Sequence, residues 1–388
     1  MRNTSADEHS ALSVEWLALL QCANPQFATD RLSEVFSKVL DWSRLLTLAE
    51  EQGVLPLLTK RLGELDEVAV PSEVRQKLRD AARAQTLFTL SLTAELFRVL
   101  DRFAALGIGV LLTKGPVLSA RCYGDPGLRQ YTDLDLVLRD ADIARATDAM
   151  MALHYEPKVP LKAIYAGKVP GEYVFVRRDT KLLVELHTER TFRYHPKPLS
   201  VEKLFERQGR VRFDGHDVPS LSTEDELILI CIHGAKHFWE RLMWIADVAA
   251  LVTRQSVDWE RAVSAVQEVE AKRMLYVGLL LAMNVTGARL PAKVIDELSA
   301  DATAGRIAAH IARRLPLVDA EPFGLLRRAA FRIRMRGGLP PGIAYLLRLS
   351  LSPTEEDWRA GTEEKRAGML DAISRPFRLA RKYGRNGK

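Results

Sequence analysis

The stretch "YTDLDLVLRD", residues 131 to 140, sets two carboxylates one residue apart inside a run that otherwise reads as a buried strand. Side chains at i and i+2 of a strand point to the same face, so Asp133 and Asp135 project together. An ionised carboxylate away from water is costly unless it is paired. Two of them a few ångströms apart repel unless one is protonated or a cation lies between. Whatever this chain folds into must therefore give the pair either solvent or positive charge. Oxygen ligands suit Mg²⁺, which takes one or two carboxylates and completes its shell with water and substrate phosphates. Read alone, the same letters also fit solvent-facing acids at a strand end.

The surroundings of that strand set the fold class. Residues 11 to about 104 space their apolar residues at three and four, as in "ALSVEWLALLQCA", "DWSRLLTLAEEQGVLPLLTKRL" and the long segment from Ser72, which reads as helix. Gly53, Gly63 and Gly107 are the expected stops, and Ser72 after Pro71 is the expected N-cap of the third segment. At Ile108 the period changes. "IGVLLT" (108–113) and "DLDLVLR" (133–139) have a strand's length, "EYVFVRRD" (172–179) and "KLLVELHT" (181–188) pair as a hairpin, and "RVRFDGHDVPSL" (210–221) turns at Asp214-Gly215. "PVLSARCY" and "DADIARATDAMMALH" make helices after the first two strands. From Ser222 helix returns, opened by a cap-like hydroxyl and acids in "STEDELILI". The expected class is α+β: a small mixed sheet flanked by helical regions, divided as 1–104, 105–221, 222–320 and 321–388.

Composition narrows the setting. With 388 residues, 47% hydrophobic and 27% charged, the chain has the make-up of an ordinary globular protein of two or three lobes. No apolar run reaches the roughly 18 residues of a membrane span. The start, "MRNTSADEHS", lacks a secretion signal's basic-then-apolar pattern, so no membrane span and a cytoplasmic location are expected. Cys22, Cys122 and Cys231 are far apart and odd in number, which fits a reducing compartment and core packing better than disulfides or zinc. The net charge of +6 is uneven: "RRAAFRIRMR" (327–336) carries five arginines, and Arg375 to Lys388 carries six basic residues. Such clusters suit nucleic acid or an acidic surface, and equally a solvated helix face with a frayed tail.

Two further stretches bear on the acids. In "LLTKGPV" (111–117) a strand ends near Thr113, Gly115 allows a tight turn and Pro116 fits the first position of a helix. The helix start offers backbone N–H groups to phosphate and Lys114 adds a point charge, although an ordinary strand-to-helix connection has the same letters. In "VELHT" (184–188) Glu185 and His187 share one strand face, where Glu185 is a candidate to complete a three-carboxylate site and His187 a candidate to touch phosphate or orient an acid, although a lone Glu-x-His also fits a surface pair. Arg129, just before the acidic strand, is a candidate for phosphate or for an aspartate.

From Leu111 to Pro157 the chain resembles the uncharacterised nucleotidyltransferase family of the DNA polymerase β-like superfamily. The likeness rests on the Lys114-Gly115 turn, an arginine before an Asp-x-Asp strand, a helix after it, and the later acid-x-His pair Glu185 and His187. "IHGAKHFWERLMWIADVAAL", "LSPTEEDW" and "RPFRLARKY" are similar to later marks of the family, so the likeness runs from about residue 15 to 383. Where the superfamily has Gly followed by Gly or Ser, this chain has Gly115-Pro116. The resemblance implies Asp133, Asp135 and Glu185 as catalytic residues and as ligands of two Mg²⁺ ions, with Mn²⁺ as the alternative. It implies Lys114, Gly115, Arg129 and His187 as nucleotide-binding, with ATP the favoured triphosphate. The implied reaction moves a nucleoside monophosphate to an acceptor hydroxyl or similar group, on a small molecule or peptide, and releases pyrophosphate. RNA as acceptor and a catalytically silent nucleotide-binding regulator are the alternatives.

Other features read as structure. His233 and His237 lie four apart, a spacing zinc sites use, with Asp247 as a conceivable third ligand; core or supporting histidines fit the position better, since the zincin glutamate is replaced by Gly234. Trp239 and Trp244 read as packing, and Lys236 and Arg241 as solvent-exposed or bordering the nucleotide. There is no P-loop, dinucleotide fingerprint or nucleophile elbow.

Overall fold

The acidic strand lies at the middle of a seven-stranded mixed sheet. The computed structural model describes residues 12–39, 41–65, 70–167, 169, 172–188, 200–316 and 324–351. β1 (Leu111–Thr113) runs antiparallel to β2 (Asp133–Val137). β3 (Tyr155–Pro157) pairs antiparallel with β4 (Glu172–Arg177), which returns antiparallel on β5 (Leu183–His187). β5 lies parallel beside β2. On the far side, β6 (Gly209–Phe213) and β7 (His216–Ser220) form a hairpin whose second strand runs parallel to β1. The order is β3-β4-β5-β2-β1-β7-β6. Both hairpins stand where the sequence puts them, and Asp214 and Gly215 take the positive φ their turn requires. The three-residue β3, ending in a proline, is too short to announce itself by periodicity.

Alternation along the strands separates two cores. Leu112, Leu134, Leu136, Tyr173, Phe175, Val184 and Leu186 lie in one buried cluster with Leu92, Leu96, Val99 and Phe103 of the helix Ser72–Ala105 and Met150 of Ile143–Ala152. Leu111 and Val137 join a second cluster. That body is built jointly by helices before the sheet, such as Val14–Ala23 and Leu55–Gly63, and helices after it, Thr223–Lys236, Leu242–Arg254 and Lys272–Thr286. Segments far apart in the chain therefore share one apolar interior. Trp239 is fully buried there, seated against two glycines; a Cβ on Gly234 would meet its ring at 2.6 Å.

Local readings differ in places. The helix from Ser72 starts with Ser72 inside it, and Pro71 occupies the cap with no side-chain bond, because proline's fixed φ already sets the chain entering the helix. As the glycine stop predicts, the segment 41–62 breaks at Gly53 (φ 72°) into Trp42–Glu51 and Leu55–Gly63. An additional short helix, Thr29–Phe36, precedes them. Ser222 does cap its helix, accepting from the Asp225 N–H at 3.1 Å. All three cysteines are buried thiols. Among the described residues no helix is long and apolar enough to cross a membrane. "RPFRLARKY", nearly all of "LSPTEEDW" and the basic tail from Arg375 lie outside the described residues.

Candidate active site

The turn after β1 is held by an acid from a distant helix. Thr113 Oγ1 and the Lys114 N–H both donate to Glu226 Oε1, at 3.0 and 3.1 Å. Glu226 is 2% exposed, and burial pushes its carboxyl upward. Lys114 sits at φ 50°, ψ −146°, a conformation rare for a residue with a side chain, so the clasp has strain to hold. Gly115 follows at φ 48° and opens the helix Gly115–Tyr123; a Cβ there would lie 3.3 Å from the Asp133 carbonyl. Glycine is needed at this point for both reasons. Glu226 belongs to "TEDE", which reads from sequence only as helix-start charge.

The acids then gather on one sheet face. The parallel register pairs Asp135 with Glu185 and Val137 with His187, while Thr113 opposes Asp135 and Glu172 opposes His187. Asp133, Asp135, Glu185 and His187 are thus cofacial, and Glu172 joins them from β4. Lys114 Nζ lies 3.0 Å from Asp135 Oδ1, and His187 Nε2 lies 2.7 Å from the same oxygen and 3.6 Å from Glu185 Oε2. Positive charge meets the buried acid from two sides, which answers the question the strand poses.

The charges shift accordingly. Burial, then the Asp135 charge, raises Glu185 to about 7 and Asp133 to about 6. Burial also works against ionised Asp135, but Lys114 and the bond with His187 outweigh it and hold that carboxyl well below the usual range. Lys114 and His187 are raised in return: burial opposes their charge and Asp135 overcomes it. Donor atoms of Asp135, Glu185 and His187 lie within 4.8 Å of one another, the one grouping of metal-ligating type among the described residues. It has His187 where the sequence reading has Asp133.

Arg129 bonds an acid outside this cluster, although its charge acts on Asp133. Its Nε bonds Asp247 Oδ2 at 2.8 Å, the Tyr123 hydroxyl donates to Asp247 Oδ1 at 2.9 Å, and both members of the ion pair are almost fully buried. The pair ties the loop before β2 to the helix Leu242–Arg254. Asp247 is therefore engaged by Arg129 and Tyr123, and it does not join His233 and His237 in a metal-type grouping. Those two rings lie 4.6 Å apart, tilted to one another, and both pack against Trp244.

His237 carries a pH signature. Burial, then Lys236 and Lys114, lowers it from 6.5 to about 4, and His233 is displaced in the same direction. The folded state favours neutral imidazole. Its stabilising contribution is complete above the unfolded value and is lost as pH falls from about 6.5 towards about 4. A single shift of this size corresponds to about 3 kcal/mol. Urea unfolding at neutral and mildly acidic pH is expected to show a shallower pH slope for His237→Gln than for the wild type. Identical slopes would contradict this assignment.

The comparison with protein families sets this protein among the nucleotidyltransferases. More narrowly, the chain belongs to the uncharacterised nucleotidyltransferase family, whose model matches residues 38–287, well over half its length. No curated protein matches the sequence. Among solved structures, the chain is similar to an antigenic nucleotidyltransferase-like protein from Paracoccidioides brasiliensis, at 16% identity over 49% of this chain and 91% of that one, with a TM-score of 0.29.

Proposed function

We propose that the protein is a divalent-metal-dependent transferase that moves a nucleoside monophosphate from a nucleoside triphosphate, with ATP the first choice, to a hydroxyl or similar group of a small molecule or peptide. The observation that carries this reading is the collection of Asp133, Asp135 and Glu185 on one sheet face beside the Lys114-Gly115 turn. The donor set suits Mg²⁺ or Mn²⁺: hard carboxylate oxygens, two of them with raised proton affinity because their charges repel in a buried place. Bound there, such ions would screen the phosphates and lower the pKa of an acceptor hydroxyl.

The chain's own groups account for the rest. The turn offers a helix N-terminus and the Lys114 ammonium to the triphosphate. His187 bonds Asp135 Oδ1 and so orients that carboxylate towards its neighbours. The acceptor oxygen attacks the α-phosphorus in line, the bond to the β-phosphate bridging oxygen breaks, and pyrophosphate leaves. Catalysis of this kind is positioning and charge compensation, which a rigid sheet supplies. The test is pyrophosphate release from ATP with Mg²⁺, screened against sugars, amines and peptides, alongside thermal shifts with ATP with and without Mg²⁺. A metal-dependent shift accompanied by release supports transfer. A shift with no release for any acceptor or RNA favours a binding role, and no shift with any triphosphate removes the proposal.

A further inference from the structure

β5 brings an imidazole nitrogen into the acid cluster. His187 stands two residues beyond Glu185 on the same strand face, and the parallel register sets Glu185 beside Asp135. His187 and Asp135 are 6% and 5% exposed, so neither is a surface group. The ring turns Nε2 towards both acids, 2.7 Å from Asp135 Oδ1 and 3.6 Å from Glu185 Oε2. A hydrogen bond accounts for the first distance but not for the second, which is too long for one. The Glu185 side chain is only 20% exposed, yet its carboxylate accepts no hydrogen bond among the described residues. A carboxylate so placed calls for a cation.

The spacing is that of ligands around one ion. Ligand atoms about 2.0–2.2 Å from a divalent ion lie about 3.0 Å apart when adjacent and about 4.3 Å apart when opposite. The two His187 separations straddle the first value, and the three donor atoms all fall within 4.8 Å of one another. Asp133 is not one of the three. Glu172, opposite His187 in the ladder, adds a further acid to the face.

Donor type then selects the ion. Mg²⁺ is a hard ion held through oxygen, whereas imidazole is a ligand of first-row transition ions. We propose that His187 Nε2 is a direct metal ligand together with Asp135 and Glu185, and that this nitrogen makes the place one for a first-row transition ion in preference to Mg²⁺. The all-oxygen pair Asp133 and Asp135 is left for the Mg²⁺ that accompanies the triphosphate. In its bond to Asp135 the same Nε2 donates; as a ligand it gives that proton to solvent and turns its lone pair to the ion. The two roles exclude one another, so metal binding separates them. The inference deepens the transfer reading and rests on it only for what the ion does there.

Mn²⁺, the weakest binder of the transition series and so the stringent probe, is titrated into the full-length protein without nucleotide, in excess Mg²⁺. Bound Mn²⁺ is read by electron paramagnetic resonance and spin-echo modulation. Expected is Mn²⁺ held against the excess Mg²⁺, with the modulation of a directly bonded nitrogen. His187→Gln keeps a donor for Asp135 but has no imidazole; it should lose that modulation and bind Mn²⁺ at least about 10-fold more weakly. Glu185→Gln, at a half-open position, should weaken Mn²⁺ and keep the nitrogen signal. Circular dichroism checks both folds. No Mn²⁺ bound in excess Mg²⁺, Mn²⁺ bound without nitrogen modulation, modulation that survives in His187→Gln, or undiminished Mn²⁺ binding by either variant overturns the proposal. None of these readouts involves turnover. A nitrogen signal in a protein that transfers no nucleotide leaves the ligand assignment standing and removes the transferase reading, and transfer with no nitrogen signal does the reverse.

Discussion

Asp135→Asn is expected to lower metal-dependent nucleotide transfer by at least about 10²–10³-fold, the scale seen when one preorganised charge-stabilising group is removed. The amide keeps the shape of the side chain but removes the charge on which Lys114 and His187 converge. The strand should persist, since Leu134 and Leu136 still fill the core on the other face and the ladder to β1 and β5 is backbone-made. Circular dichroism should thus match the wild type while pyrophosphate release falls. Without Asp135's charge, Glu185 and Asp133 lose their strongest repulsive neighbour and their proton affinities should fall towards ordinary values. Full turnover in the folded variant would remove these acids from the chemistry.

The second large effect concerns stability. Asp247→Ala should destabilise the protein by about 3–5 kcal/mol, because it strands the Arg129 guanidinium in the interior and deprives the Tyr123 hydroxyl of its acceptor. Arg129→Met alone should be similarly damaging through the orphaned carboxylate. The double variant Arg129→Met/Asp247→Leu should recover much of the loss, since apolar groups of similar volume can replace a buried ion pair at little cost. Urea unfolding of the three variants checks this. A loss of only about 1 kcal/mol in the single variants, the value of an exposed pair, would show that water reaches the site.

The parts of the site that lie within one strand could be read directly. Asp133 and Asp135 share a face because strand periodicity demands it, and the same holds for Glu185 and His187. That the two pairs adjoin depends on the parallel register of β2 with β5, which no local pattern encodes. The clasp by Glu226 and the tie from Arg129 to Asp247 escaped for the same reason, since each joins residues more than a hundred positions apart. A signal did exist. Glu224, Asp225 and Glu226 are all buried, at 6%, 5% and 2%, whereas acids that merely complement a helix N-terminus stay in water. Each has a distant partner: Glu224 accepts from the Asp258 N–H, Asp225 pairs with Arg207, and Glu226 holds the turn. The continuous apolar run that follows in "LILICI" hints that the helix is surrounded, and acids at its start must then face protein.

The Glu226 clasp also limits how this protein can be rebuilt. Any graft of the seven strands onto a foreign helical partner leaves Lys114 in its disfavoured backbone conformation with no acceptor for its amide. A chimera cut after residue 221 would therefore inherit the acidic strand without the latch that shapes its neighbour. Recombination between relatives should succeed only where both halves travel together or where the incoming helix brings a carboxylate to the same place.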